Sequence, residues 1–146
     1  MYWLATPVPS ASSMNPEEEI FVTKATPEQL VAWRQLCLGH NVCILGPGGT
    51  GKSQFIRWVK QIYMSSENSV IVTASTANAA FLLGGITLHR FTGLPVWVCD
   101  EKKYDLKTAF DKYIKWTSNL VGIVNNIRSV NLWICDEISM LSPRVF

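Results

Sequence analysis

Eight consecutive residues have the types and spacing of a phosphate-binding loop: Gly46-Pro47-Gly48-Gly49-Thr50-Gly51-Lys52-Ser53. Glycines let the backbone curl, so that several N–H groups converge on the phosphates of a nucleotide. Lys52 adds a mobile positive charge, and the hydroxyl of Ser53 is a ligand for Mg²⁺. The pattern predicts a nucleoside triphosphate site, for which a Gly-rich turn with an exposed lysine is the structural alternative.

Two adjacent carboxylates form a second candidate site. Asp136 and Glu137 directly follow residues 129–135, a mostly apolar segment that predicts a buried strand. Ligands of parallel α/β sheets bind at the carboxyl ends of strands. In a nucleotide hydrolase the first carboxylate faces Mg²⁺ and the second orients and deprotonates the attacking water. We therefore predict Asp136 as a metal ligand and Glu137 as the general base; an acidic turn after a strand is the alternative.

The residues around the loop alternate between strand and helix patterns. The apolar run Val42–Leu45 predicts a strand that enters the loop, and a helical apolar face at Phe55, Val59, Ile62 and Tyr63 follows it. The remaining predicted elements are a strand over 69–73, an Ala-rich helix ending near 84–85, a short helical turn over 87–91, a helix with Leu106, Phe110, Tyr113 and Ile114 on its apolar face, and another over 120–127. This order predicts an α/β fold with a mainly parallel sheet between helical layers.

A helix before the loop has clear end signals. Thr26 is a suitable N-cap, Pro27 fits the first helical position, and Gln29 stands three residues after the cap, as in a capping box. Gly39 is a suitable stop for the helix.

Composition limits the class of protein. The 146 residues suffice for one domain, and 48% of them are hydrophobic. The net charge of +2 is too small to require a nucleic-acid partner, yet it is compatible with one on a local patch. The four cysteines form no Cys-x-x-Cys pair, which argues against zinc and against a disulfide framework. Cys43 and Cys135 lie in apolar segments and are predicted to be small core residues.

The N-terminal residues 1–22 are rich in Pro, Ser and Glu, which predicts a flexible leader. The leader lacks the basic and apolar regions of a signal peptide. The chain has no run of about 18 apolar residues, the minimum for a membrane-spanning helix. We therefore expect a soluble intracellular protein without a membrane partner.

Five blocks of the sequence together resemble the Pif family of DNA helicases, which are superfamily 1B motors. The blocks are Thr26-Pro27-Glu28-Gln29, the loop 46–53, Thr73-Ala74-Ser75-Thr76, Gly84-Gly85-Ile86-Thr87-Leu88-His89-Arg90-Phe91, and Asp136-Glu137-Ile138-Ser139-Met140-Leu141. The resemblance covers roughly residues 24–146. RecD-type helicases share several of these blocks and remain a neighbouring alternative.

The resemblance implies a RecA-like domain over residues 23–146, with a Q motif, Walker A, motif Ia and Walker B, truncated at its C-terminus. It further implies an ATP-dependent DNA helicase of repair, recombination, telomere or replication maintenance. ATP would be the substrate, Mg²⁺ the cofactor and single-stranded DNA the partner. Such a protein would work in the nucleus or mitochondrion of a eukaryote, or in the host cell of a virus.

The resemblance also implies roles for individual residues. Gln29 corresponds to the glutamine that reads the adenine edge, beside the nucleotide-binding residues Gly46, Gly48, Gly49, Thr50, Gly51, Lys52 and Ser53. The residues implied to line the path of single-stranded DNA are Thr73, Thr76, His89 and Phe91. The residue types alone also allow structural roles. Gln29 would cap its helix, Phe91 would lie in the core, and His89 would lie at the surface or be hydrogen-bonded within the fold. Solvated surface charges are the alternative for Arg57, Arg90, Lys102 and Lys103.

The chain ends at Phe146, before the γ-phosphate-sensing glutamine, the arginines and the second RecA-like domain of the family. We therefore expect a fragment that hydrolyses ATP weakly and does not unwind DNA alone. A truncated sheet would expose an edge, which predicts self-association. The alternatives are a non-catalytic module that binds ATP and single-stranded DNA, and a small-molecule kinase, for which the sequence has no lid motif.

Overall fold

The computed structural model describes the backbone of residues 2–5 and, in full, residues 15–66, 68–95 and 105–141. Cys99, Lys102, Lys103 and residues 6–14 of the predicted leader lie outside this part of the chain. The elements in chain order are β1 (Tyr2–Ala5), α1 (Pro16–Lys24), α2 (Pro27–Cys37), α3 (Lys52–Ser65), β2 (Val70–Ala74), α4 (Ala77–Leu82), β3 (Ile86–Thr87), α5 (Leu88–Thr92), α6 (Leu106–Trp116), α7 (Leu120–Arg128), β4 (Leu132–Asp136) and a 3₁₀ turn (Ile138–Met140).

Four strands form one sheet in the order β1-β4-β2-β3. Strand β2 runs parallel to both β3 and β4, and only β1 is antiparallel to its neighbour, β4. The predicted α/β fold with a mainly parallel sheet is therefore confirmed. Asp136 pairs with Ala74 in the last register position of β4 against β2, so the carboxylate lies at the C-terminal edge of the sheet.

The segment that enters the phosphate-binding loop is not a strand, and that prediction is wrong. Its burial alternates as in a strand: Val42 and Ile44 pack against the core, while Cys43 and Leu45 are exposed. A strand also needs a hydrogen-bonded neighbour. The four-stranded sheet of the described residues does not include this segment. The exposure of Cys43 also corrects its prediction as a core residue, whereas Cys135 is buried as expected.

Two parts of the predicted flexible leader are ordered, because residues 2–5 form β1 and residues 16–22 belong to α1. Asn15 caps α1 by accepting a hydrogen bond from the N–H of Glu18. Phe21 is fully buried, and its ring lies 5.6 Å from that of Trp33 and 5.8 Å from that of Phe55. One buried aromatic ring therefore anchors a segment whose composition alone suggests disorder.

Helix α6 shows a different face to the core than its apolar pattern predicts. Tyr113 is buried with Ala109, but Leu106, Phe110 and Ile114 are exposed. The Tyr113 hydroxyl donates a hydrogen bond to the carbonyl of Thr92 at 3.2 Å. Among the described residues, no helix has the length and apolar character needed to cross a membrane.

The approach of Gly85 to β2 gives the first stability prediction. A Cβ at position 85 would overlap the carbonyl oxygen of Val72. We expect Gly85→Ala to lower the free energy of unfolding by about 1–3 kcal/mol, because overpacking forces the backbone to shift. Gly48→Ala is the matched control, since a Cβ there has no atom within 4 Å. Equal urea midpoints for the two variants would contradict the close packing of Gly85.

Tyr63 gives a second prediction, on pH. Its hydroxyl is buried and has no hydrogen-bond partner among the described residues. Burial, with a smaller contribution from Cys37, raises the pKa of Tyr63 from 10.0 to about 12. Between these values the unfolded chain loses the proton while the folded chain keeps it, so stability falls as the pH rises. We expect Tyr63→Phe to make that fall less steep.

Near neutral pH, Tyr63→Phe should leave the free energy of unfolding unchanged or raise it by up to about 1 kcal/mol, since an unsatisfied polar group is removed. Tyr113→Phe is the matched control: it breaks a hydrogen bond to Thr92 and should lower stability by about 1 kcal/mol. Urea unfolding of both variants across the alkaline range measures both effects. A steeper alkaline fall for Tyr63→Phe would contradict the assignment.

Candidate functional site

The phosphate-binding loop leads from segment 41–45, which has no regular secondary structure, into α3. Gly49 and Gly51 have φ angles of 79° and 83°, which lie in the left-handed region that favours glycine. Gly51 is the N-cap of α3, and no side chain caps this helix end. The first N–H groups of a helix that lack a side-chain cap are suited to bind an anion. The geometry therefore agrees with a phosphate site at Lys52 and Ser53.

The ammonium group of Lys52 lies against the loop. Its Nζ donates hydrogen bonds to the carbonyl oxygens of Gly46 at 2.7 Å and Pro47 at 2.6 Å, and lies 3.4 Å from the hydroxyl of Thr50. These carbonyl contacts hold the positive charge over the loop. A phosphate group could replace them with stronger, charge-assisted hydrogen bonds.

Gln29 joins α2 to the loop. Its Oε1 accepts a hydrogen bond from the N–H of Thr26 at 3.0 Å, and the hydroxyl of Thr26 accepts one from the N–H of Gln29. The predicted capping box is therefore confirmed. The Nε2 of the same side chain donates to the carbonyl of Gly51 at 3.3 Å. One amide thus connects the start of α2 with the N-cap of α3.

A cavity of about 380 Å³ lies between α2 and the loop. Its lining residues are Thr26, Glu28, Gln29, Ala32, Ile44, Leu45, Gly46, Pro47, Thr50, Lys52 and Phe55. Its size falls in the range of small-molecule sites, about 300–1,000 Å³. Sequence reasoning found the polar lining but missed the apolar part. Nothing in the sequence marks Leu45 as a lining residue, because its 85% exposure despite an apolar side chain is evident only in the structure.

The two carboxylates lie at the end of β4. Asp136 is half-buried, and Glu137 is exposed at the N-cap of the 3₁₀ turn. Glu137 has φ 52° and ψ 40°, and it is the only residue other than glycine with a positive φ in the described chain. Such a conformation costs about 1–3 kcal/mol and is concentrated at functional sites. Glu137 is therefore a functional candidate on conformational grounds as well.

Asp136 at the end of β4 and Ser53 at the start of α3 carry oxygen donors of the kind that Mg²⁺ prefers. The described residues contain no group of three or more His, Cys, Asp or Glu side chains that could hold a metal. Mg²⁺ usually takes one or two carboxylates together with water and the oxygens of a phosphate substrate. The hydroxyl of Ser53 and the carboxylate of Asp136 are hard oxygen donors of this kind.

The four residues implied to contact DNA have different environments. Thr73 is fully buried, and its hydroxyl donates to the carbonyl of Ile134 at 3.1 Å. A direct contact of the Thr73 side chain with DNA is therefore excluded in this structure, and that prediction is wrong. The hydroxyl of Thr76 caps α4 by accepting from the N–H of Ala79. Both His89 and Phe91 are half-buried on α5.

Sequence reasoning missed the residue that joins two of these positions. Trp133 donates from its Nε1 to the hydroxyl of Thr73 at 2.8 Å. Its ring packs edge to face on Phe91, with centroids 5.1 Å apart. The structure thus brings Thr73 and Phe91 together, while none of the four implied DNA residues lines the cavity.

The sequence of the chain is similar to those of known helicases. The family model described as PIF1-like helicase matches residues 25–146. The ATP-dependent DNA helicase PIF6 of Trypanosoma brucei brucei is 31% identical over 137 residues, which cover 91% of this chain and 16% of that protein. The ATP-dependent DNA helicase PIF1 of Saccharomyces cerevisiae is 37% identical over 112 residues, or 73% of this chain and 12% of that protein.

A bacterial relative is similarly close. The ATP-dependent DNA helicase Pif1 of Campylobacter jejuni is 33% identical over 106 residues, or 73% of this chain and 23% of that protein. The chain thus spans less than a quarter of the length of each of these three relatives. No solved structure matches the chain at a significant level.

Proposed function

The chain belongs to the PIF1-like helicase family, and from this membership we propose that it forms the ATP-binding part of an ATP-dependent DNA helicase. In such an enzyme ATP hydrolysis is coupled to movement along single-stranded DNA and to unwinding. The observation that carries the proposal is the cavity between α2 and the loop, since both Lys52 and Gln29 line it. This part of the enzyme would bind both nucleotide and DNA.

The loop would hold the triphosphate of ATP. Backbone N–H groups of the loop glycines and of the α3 N-terminus would bind phosphate oxygens, and Lys52 would exchange its carbonyl contacts for them. Gln29 would read adenine, because an amide donates and accepts at once. That role requires the amide to exchange its hydrogen bonds with Thr26 or Gly51. ATP binding would therefore loosen the link between α2 and α3.

The hydroxyl of Ser53 and the carboxylate of Asp136 would hold Mg²⁺. When bound, Mg²⁺ neutralises charge on the β- and γ-phosphates. Glu137 would orient the attacking water and accept its proton. Its exposed position after β4 leaves the carboxylate accessible to water.

Single-stranded DNA would lie along α4 and α5, with Thr76, His89 and Phe91 in contact with it. Aromatic side chains provide a surface on which bases stack, whatever the sequence. A protein with this substrate would work where DNA is, in the nucleus or mitochondrion of a eukaryote or in the host cell of a virus.

Binding of labelled nucleotides tests the proposal. The fluorescent analogue mant-ATP should bind the 146-residue chain in the presence of Mg²⁺, and mant-GTP should bind more weakly because of Gln29. The fluorescence anisotropy of a fluorescein-labelled oligothymidylate should rise when the chain is added. Failure to bind mant-ATP would overturn the proposal, and equal affinities for both nucleotides would overturn only the role of Gln29.

The proposed stacking of DNA on Phe91 gives a further prediction. Phe91→Ala should weaken oligothymidylate binding by about 5- to 150-fold, because one stacked base contributes about 1–3 kcal/mol. Binding of mant-ATP should not change. Phe110→Ala is the matched control, since this phenyl ring is 60% exposed and lies on α6, outside the helices proposed to contact DNA. Equal DNA affinities for the two variants would contradict the role of Phe91.

A further inference from the structure

We propose that Trp133 is a positioning residue that couples DNA binding at Phe91 to the strand ending in the Asp136 carboxylate. The inference rests on the proposed function, since it assumes that Phe91 contacts DNA and that Asp136 serves the nucleotide site. Trp133 itself contacts neither ligand in this scheme. It acts through the ring it supports and through the two strands it joins.

Two contacts hold the Trp133 side chain in one orientation, and a third fixes the hydroxyl that accepts its hydrogen bond. Its ring packs edge to face against Phe91, with an interplanar angle of 70° and centroids 5.1 Å apart. Its Nε1 donates to the hydroxyl of Thr73 at 2.8 Å. That hydroxyl donates in turn to the carbonyl of Ile134 at 3.1 Å, in the buried sheet. The indole is therefore fixed at its polar atom as well as by packing.

The hydrogen bonds tie both central strands to this ring. Trp133 and Ile134 belong to β4, and Thr73 belongs to β2, where it pairs with Cys135. The next register pair is Ala74 and Asp136 at the sheet edge. A base stacked on Phe91 would displace its ring and, through it, the indole of Trp133. Because the Thr73 hydroxyl is hydrogen-bonded to the indole and to β4, this displacement would shift the ends of β2 and β4. The path from Phe91 to Asp136 therefore consists of one ring contact, two hydrogen bonds and the backbone at the ends of β2 and β4.

The buried position of Thr73 supports the same division of roles. Its side chain has no exposed surface, so it cannot meet DNA directly. It is the acceptor of the only hydrogen bond that the Trp133 indole can donate. Thr73 therefore acts through Trp133, whereas Phe91 is only half-buried and is the residue proposed to contact a base.

Coupling between the two ligands separates this role from a merely structural one. The Kd of mant-ATP is measured with Mg²⁺ in the absence and presence of saturating oligothymidylate, and the ratio is the coupling factor. In the unmodified chain we expect a factor of about five or more, the lower end of measured site couplings. Loss of packing alone would change thermal stability without changing this ratio.

Three variants test the contacts. Trp133→Phe keeps a ring against Phe91 and removes the Nε1 donor, while Thr73→Val keeps the shape of Thr73 and removes the acceptor. Both should reduce the coupling factor to below about twofold, well under the usual range of coupled sites. Each ligand measured alone should keep its affinity. Thr73→Ser retains the hydroxyl and should keep the coupling of the unmodified chain.

The outcomes distinguish this inference from the proposed function. If the unmodified chain binds neither ligand, the proposed function fails. If it binds both with no coupling, or with coupling that survives in Trp133→Phe and Thr73→Val, only the role of Trp133 is overturned. Lost coupling in both variants with retention in Thr73→Ser supports the hydrogen-bonded path.

Discussion

Replacing Lys52 with alanine is expected to weaken Mg²⁺-dependent binding of mant-ATP by about 12- to 150-fold, since a hydrogen bond to a charged group contributes about 1.5–3 kcal/mol. In the structure the Lys52 ammonium donates hydrogen bonds to two loop carbonyls. A phosphate can replace these carbonyls as the acceptor without a change of fold. Turnover of ATP should be abolished. Binding of oligothymidylate should remain largely intact, because the proposed DNA contacts on α4 and α5 do not line the nucleotide cavity.

The same helix supplies the control for Lys52→Ala. Lys60 also lies on α3, and its ammonium also donates to backbone carbonyls, those of Leu83 at 3.3 Å and Gly84 at 3.0 Å. Lys60→Ala therefore removes the same kind of contact away from the cavity, and it should leave mant-ATP binding unchanged. Equal loss of nucleotide and DNA binding in Lys52→Ala would contradict the separation of the two surfaces.

The sequence predicted best the features that short-range hydrogen bonds and one helix face determine. The capping box of Thr26 and Gln29 needs only residues three positions apart, and the structure contains both of its hydrogen bonds. The predicted apolar face of α3 is buried, including Phe55, Val59 and Ile62. Periodicity is sufficient there because one face of a helix packs on the core without a specific partner strand.

Features that depend on distant neighbours were predicted less well. An apolar run such as Val42–Leu45 has the same pattern whether or not another strand pairs with it. Conversely, the acidic N-terminal segment forms α1, because Phe21 finds an aromatic cluster contributed by α2 and α3. Composition cannot reveal such a cluster, since it counts residues and not contacts.

At the candidate site, too, local features were predicted well and features that depend on distant residues were not. The residues of the phosphate-binding loop are contiguous, so the loop can be recognised from the sequence alone. Thr73 was assigned to DNA by resemblance, but its burial follows from pairing with β4 and from the indole of Trp133. Trp133 was predicted only as an apolar strand residue, because nothing nearby in the sequence indicates that Phe91 would pack on it.

Glu137→Gln is expected to give the other large effect, a fall in single-turnover ATP hydrolysis of about 10²- to 10⁴-fold, the usual contribution of a general base. Glutamine keeps the size of the side chain and tolerates the same backbone conformation, but its amide cannot accept the proton of water. Binding of mant-ATP should therefore be retained. Single-turnover conditions, with protein in excess over radiolabelled ATP, separate hydrolysis from product release.

Two further variants make the assignment of Glu137 specific. Glu19→Gln neutralises an exposed carboxylate on α1 and should leave hydrolysis unchanged. Asp136→Asn should instead raise the Mg²⁺ concentration needed for nucleotide binding, because it removes a proposed ligand of the ion. Since Asp136 and Glu137 are adjacent but differ in burial and backbone conformation, the two substitutions should not share a phenotype. If hydrolysis survives Glu137→Gln, the base is another group, and the positive φ of Glu137 then reflects only the turn that follows β4.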